Sequence, residues 1–160
     1  MDIQLISERY LDPFDMPRVA GPGVPPEDQS GERLQVKVLY TTHSGTLAAL
    51  KLASRLGASL GQCPSVLRLC AVPYALPLER PAVPIDFLEK QLRALAHESG
   101  TEFTAQVYLC RETRLTLRRL FPPHSVVVLA GRKRWWPTKE QRWAGILKKE
   151  GHEVIFVNSE

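Results

Sequence analysis

Six consecutive residues, Val126-Val127-Val128-Leu129-Ala130-Gly131, carry no polar side chain, and they constrain the fold more than any other part of the chain. A strand with one wet face alternates polar and apolar residues. An unbroken apolar run is instead a strand buried on both faces, as happens where helices cover a parallel sheet on either side. Four further β-rich runs accompany it, at 36–40, 66–72, 103–109 and 154–157.

The intervening segments have helical period. From 46 to 60, Leu47, Leu50, Ala53 and Leu56 recur at helical spacing and Gly61 provides the stop. From 85 to 99, Phe87, Leu88, Leu92, Leu95 and Ala96 share one side ahead of Gly100. A shorter helix at 112–121 ends at Pro122-Pro123, and a last one at 139–150 ends at Gly151. The Pro-rich stretch 73–84 suits neither a central strand nor a helix interior and reads as a loop. Strands that alternate with helices imply right-handed βαβ crossovers. The expectation is an α/β fold, an open doubly wound sheet of five mainly parallel strands with four helices.

The 160 residues suffice for one domain with a real core, placed at 34–160. Residues 1–33 contain five prolines and three glycines and read as a flexible acidic extension, in which Ile3-Gln4-Leu5-Ile6 is a candidate docking stretch. No apolar run approaches the ~20 residues of a membrane helix, and Asp2, Glu8 and Arg9 argue against a secretory signal. Cys63, Cys70 and Cys110 have no metal-ligand or redox spacing. A reduced cytoplasmic protein, outside any membrane and without a metal, is expected.

The net charge of +4 is unevenly spread. Residues 111–150 hold eleven Lys/Arg against three Glu, while residues 1–33 hold seven acidic groups against three Arg. The basic segment suits an anionic partner: a nucleotide, a nucleic acid or an acidic protein. In an open parallel sheet ligands bind at the carboxyl ends of strands, where the strand order reverses. Two places follow: the turn Thr41-Thr42-His43-Ser44-Gly45 after the 36–40 run, and the loop after Gly131.

Taken in order, the 36–40 strand with its polar turn and Ala-Leu helix, the strand ending in Gly131, and the Ala144-Gly145 helix before the last strand resemble the universal stress protein family over roughly residues 34–158. The resemblance implies a three-layer sandwich like that of the adenine-nucleotide α-hydrolases. It also implies a stress-response role without catalysis, and a homodimer paired through Val154, Ile155, Phe156 and Val157. ATP-binding members carry an aspartate after the first strand, two loop glycines spaced by two residues, and later a glycine followed by a hydroxyl residue. Here Thr41 stands at the aspartate's place, Gly131 at the first glycine and Arg134 at the second. Gly145 matches the later glycine, and Ile146 follows it where a hydroxyl belongs. On this reading the nucleotide site is degenerate, with ATP or another adenine nucleotide as its candidate ligand. Thr41, Thr42 and His43 would then lie near the sugar, and Gly131, Arg132, Arg134 and Gly145 near the phosphates.

The loop offers a second route to an anion. Residues 132–143 place five cations (Arg132, Lys133, Arg134, Lys139, Arg142) among three tryptophans, Trp135, Trp136 and Trp143. Guanidinium groups grip phosphates in bidentate fashion and indole faces stack bases, which gives an anion-, nucleotide- or nucleic-acid-binding module as the alternative function. Equally, the indoles can cap the end of the sheet while the cations face water. The four histidines are scattered, and no spacing for a hydrolytic triad, a metalloprotease or a phosphate-binding P-loop occurs. No enzyme is expected.

Overall fold

A computed structural model describes residues 3–11, 34–78, 80–123 and 125–159 of the chain. Ten elements follow one another: β1 (Ile3–Leu11), β2 (Gln35–Leu39), α1 (His43–Leu60), β3 (Ser65–Ala71), α2 (Ile85–Ser99), β4 (Phe103–Cys110), α3 (Thr113–Leu120), β5 (Ser125–Gly131), α4 (Lys139–Lys149) and β6 (Glu153–Asn158). They build one sheet in the order β1-β4-β3-β2-β5-β6. Strands β2 to β6 are parallel, as expected, with helices on both faces.

Burial explains why this arrangement suits the sequence. All seven residues of β5 are buried, so the apolar run is indeed covered on both sides. On one face Val36, Val38, Val66, Val107, Val126 and Val128 pack against Ala49, Leu50 and Ala53 of α1 and Leu88, Leu92 and Leu95 of α2. On the other, Leu39, Leu67, Val127 and Leu129 pack against Leu117 of α3 and Trp143, Ala144 and Leu147 of α4. Each fully buried leucine or valine contributes roughly 1.5–3 kcal/mol relative to exposure, so two such layers hold the sheet in register.

Two features depart from the sequence expectation. The first is β1, which pairs antiparallel with β4 from Ile3↔Cys110 to Leu11↔Phe103. Residues 3–11 therefore belong to the sheet rather than to a loose extension, and among the described residues the sheet has six strands. The register shifts between Leu5 and Ser7, and this bulge breaks the period-two pattern by which a strand is recognised. The rest of the expected extension, residues 12–33, lies outside the described residues.

The second is the start of α1, three residues earlier than its apolar period predicts. Thr42 is the N-cap, its hydroxyl accepting the Gly45 N–H at 3.1 Å. Gly45, read as part of the turn, lies inside the first helical turn. A Cβ there would approach Thr42 Oγ1 to 2.8 Å and the Ala130 Cβ to 3.4 Å, so the missing side chain lets α1 begin close against β5.

The Pro-rich segment after β3 is held by Arg111, at the end of β4. Its Nη1 donates to the carbonyls of Pro73 (2.6 Å) and Leu76 (2.7 Å), and its guanidinium lies 5.4 Å from the Tyr74 ring centroid. Charge-assisted bonds of this kind fix a loop whose prolines supply no backbone donors. All three cysteines are free. Burial pushes the Cys70 thiol up, against the opposing pull of Arg68, so its thiolate is disfavoured. Among the described residues no helix is long and apolar enough to cross a membrane.

Candidate functional site

The strand order reverses between β2 and β5. From β2 the chain steps outward through β3 to β4, then returns to the other side of β2 for β5 and β6. The crevice of such a sheet opens at the carboxyl ends of β2 and β5, so the residues after Leu39 and after Gly131 line it.

On the β2 side the side chains are committed to structure. The Thr41 hydroxyl donates to the Ala130 carbonyl at 2.8 Å, bridging the two strands at the reversal, while its N–H donates to Thr46 Oγ1 at 3.1 Å. A carboxylate at this position could not donate to that carbonyl, so threonine here does bridging work that an aspartate would not. Thr42 caps α1. The His43 Nε2 lies 2.6 Å from Glu98 Oε2, which ties the imidazole to α2. Of the three residues expected near a sugar, only Thr42 is exposed.

On the β5 side the glycines are explained by packing. A Cβ on Gly131 would lie 2.8 Å from the Glu140 Cβ, 3.0 Å from its Cγ and 3.1 Å from Phe156 Cζ. The glycine therefore lets the first turn of α4 and the β6 aromatic close onto β5. Gly145 lies in the middle of α4, exposed, with nothing within 4 Å of a Cβ position, so it lends no helix-terminal N–H to a phosphate. At the start of α4 a capping box engages two N–H groups: Thr138 Oγ1 accepts the Gln141 N–H (3.4 Å), and Gln141 Oε1 accepts the Thr138 N–H (2.8 Å). Neither Gly145 nor these two N–H groups is what this end of the sheet offers an anion.

What it presents is side chains. Arg132, Lys133 and Arg134 are exposed and, with Asn158 and Ser159, line an open pocket of about 470 Å³. Two contacts fix its floor, Lys133 N–H to Asn158 Oδ1 at 3.2 Å and Ser159 N–H to the Gly131 carbonyl at 3.0 Å. Among the described lining residues there are three cations and no carboxylate. Beside it Trp135 is 93% and Trp136 77% exposed, whereas Trp143 is only 9% exposed, packed in the α3/α4 core with Lys139 Nζ 4.4 Å from its ring centroid. The two readings of the tryptophans therefore divide between them: Trp143 covers the sheet, and the Trp135-Trp136 pair faces water.

No family model matches this sequence, and neither does any curated protein. A solved structure does: a universal stress protein in complex with cAMP, at a TM-score of 0.53 over 81% of this chain and 100% of that one, with 15% identity. The fold is that of a universal stress protein. At this identity the universal stress protein supplies the architecture alone, and the site must be read from the residues present.

Sequence reading does not pick out Asn158 and Ser159. The available signal was two polar residues directly after an apolar strand, but their place beside Arg132 depends on β6 running parallel to β5, with Gly131 paired to Asn158. The four strand residues expected at a dimer edge form most of β6, each half-buried: Ile155 and Val157 pack toward α1, Val154 and Phe156 toward α3 and α4.

Proposed function

We propose that this chain is a non-catalytic regulatory domain of the stress-protein kind, acting in the cytoplasm. It binds a phosphate-bearing ligand, an adenine nucleotide first among the candidates, through side chains rather than a glycine nest. The observation that carries this reading is the pair of exposed indoles beside Arg132, Lys133 and Arg134 at the carboxyl end of β5. Large exposed aromatics are rare on a surface with no partner, and next to three cations they suit a ligand with a flat ring and an anionic group. The cAMP held by the structurally similar universal stress protein is a ligand of that chemistry.

The test is calorimetric titration with ATP and with cAMP at low salt, alongside tryptophan fluorescence. Binding should quench the exposed indoles, and Arg132→Ala with Arg134→Ala should weaken it about tenfold or more, since bonds to charged groups contribute roughly 1.5–3 kcal/mol each. Absence of both heat and quenching at millimolar nucleotide would remove the reading.

A second reading concerns partners. β6 ends the sheet, and among the described residues no strand pairs with its outer edge. Such an edge is a template for a second chain, and a homodimer joined through β6 is the simplest cover for it. Light scattering should give twice the monomer mass for the wild type and a monomer for Val154→Pro: the Ser159 N–H faces the Gly131 carbonyl of β5, so by strand alternation that of Val154 lies on the outer edge, where its loss interrupts pairing. A wild-type monomer at high concentration sinks this second reading and leaves the first intact.

A further inference from the structure

The helices of the two outer layers differ sharply in charge. α1 and α2 together carry four Lys/Arg and three Asp/Glu, whereas α3 and α4 carry seven Lys/Arg and one Glu. Both α3 and α4 lie on the same face of the sheet, and Arg118 Nε, 3.5 Å from Glu150 Oε1, ties the end of one to the end of the other. Arg114, Arg142, Lys148 and Lys149 are exposed on this face. Of its carboxylates, Glu150 pairs with Arg118 and Glu112 accepts from the Tyr74 hydroxyl at 3.3 Å, while the Cβ and Cγ of Glu140 lie against Gly131.

We infer that the outer surface of α3 and α4 continues the 132–136 loop into a track for a single strand of nucleic acid, with bases stacked on Trp135 and Trp136 and phosphates following the cations of α4. This inference rests on the anion-binding reading of the loop and extends it. A basic stripe confined to one face is the electrostatic footprint of a nucleic-acid partner. Exposed indoles beside it fit an unpaired strand, because only unpaired bases offer free faces for stacking. Along α4 the exposed positions Arg142, Gly145 and Lys149 recur at helical spacing. Gly145 is an open step between the two cations, where a backbone can approach without meeting a side chain. α4 is about 16 Å long at 1.5 Å per residue, so a mononucleotide held at Trp135 does not reach Lys148 or Lys149, and only a longer strand does.

Fluorescence anisotropy on the full chain tests this with labelled oligo-dT and oligo-U of two, six and twelve nucleotides, against unlabelled ATP. Affinity should rise at least tenfold from the dinucleotide to the dodecamer. For the dodecamer the log–log salt slope should be steeper than about −2, the value for some three neutralised phosphates on a single strand. The double variant Lys148→Glu, Lys149→Glu should weaken the dodecamer about tenfold, leave ATP binding unchanged and melt like the wild type. Equal affinity for DNA and RNA of the same length points to phosphate and stacking as the recognised groups; a preference for oligo-U assigns RNA as the partner. Dodecamer affinity no greater than that of the dinucleotide, or untouched by the double variant, overturns the track while ATP binding stands. A duplex binding as tightly as the single strand overturns it too, since stacked pairs hide the faces that the indoles need. Loss of ATP binding as well removes the loop reading beneath it.

Discussion

Trp143→Ala is expected to lower stability by about 3–5 kcal/mol, the range for truncating a buried tryptophan, whereas Trp135→Ala and Trp136→Ala should each stay within about 0.5 kcal/mol of the wild type. The three indoles lie within nine residues of sequence, yet their environments are opposite. Trp143 packs with Leu117, Leu129 and Leu147 between the sheet and the α3/α4 layer, so its removal leaves a cavity the size of an indole. Trp135 and Trp136 meet water and lose almost nothing on truncation. Thermal melts separate the cases: for a chain of this size 1 kcal/mol corresponds to about 2–4 °C, so Trp143→Ala should melt at least about 6 °C lower. The ligand response should be reversed, with quenching by nucleotide lost in the Trp135→Ala, Trp136→Ala double variant. Equal stability losses at all three positions would contradict both the core role of Trp143 and the free surface on which the loop site rests.

That difference was only half legible in the sequence. Trp143, Ala144 and Leu147 fall on one side of a helix whose start is marked by Thr138 and Gln141, so a period count can place Trp143 inward. Nothing local decides where Trp135 and Trp136 point, because they lie in the segment between β5 and α4 where no period applies. The parallel strands were legible for a physical reason: a strand buried on both faces has no place for a polar residue, and β5 has none after Ser125. An edge strand is under no such demand. β1 pairs on one side only, slips register at Leu5/Ser7, and precedes a run of prolines and glycines, so its signal vanished among loop-forming residues.

Residues 1–33 and the basic loop are opposite in charge, and the sheet order bears on whether the first can shield the second. Residues 3–11 lie on the outer edge of β4, separated from β5 by three strands, so this part of the chain is placed away from Arg132–Arg134. Residues 12–33, which carry most of the acidic groups, lie outside the described residues. The site's own legibility was uneven in a related way. The charges of 132–134 are plain in the sequence, but Asn158 and Ser159 join them only through the pairing of two strands more than twenty residues apart.

Gly131→Ala and Gly145→Ala should change stability in opposite directions, and the pair decides whether these glycines serve a nucleotide or the fold. If they formed a phosphate nest, a methyl group at either would impair binding and leave melting alone. The packing argues otherwise. Neither glycine has a positive φ, so alanine brings no backbone strain at either place. Replacing glycine by alanine without strain gains about 0.4–1 kcal/mol by narrowing the unfolded ensemble. At Gly145 nothing opposes that gain, and alanine also suits a helix interior better, so a stabilisation of about 0.5–1 kcal/mol is expected. At Gly131 the new methyl would sit 2.8 Å from the Glu140 Cβ, an atom fixed to the first turn of α4 rather than the end of a mobile side chain. Overpacking of this kind costs about 1–3 kcal/mol, which exceeds the entropic gain. Gly131→Ala should therefore melt a few degrees lower and Gly145→Ala slightly higher, with ATP titration of both folded variants as the control. Unchanged melting at Gly131 together with abolished ATP binding would restore the glycine clamp; the opposite pattern assigns that residue to the closure of α4 onto β5 and leaves the ligand to the side chains of the loop.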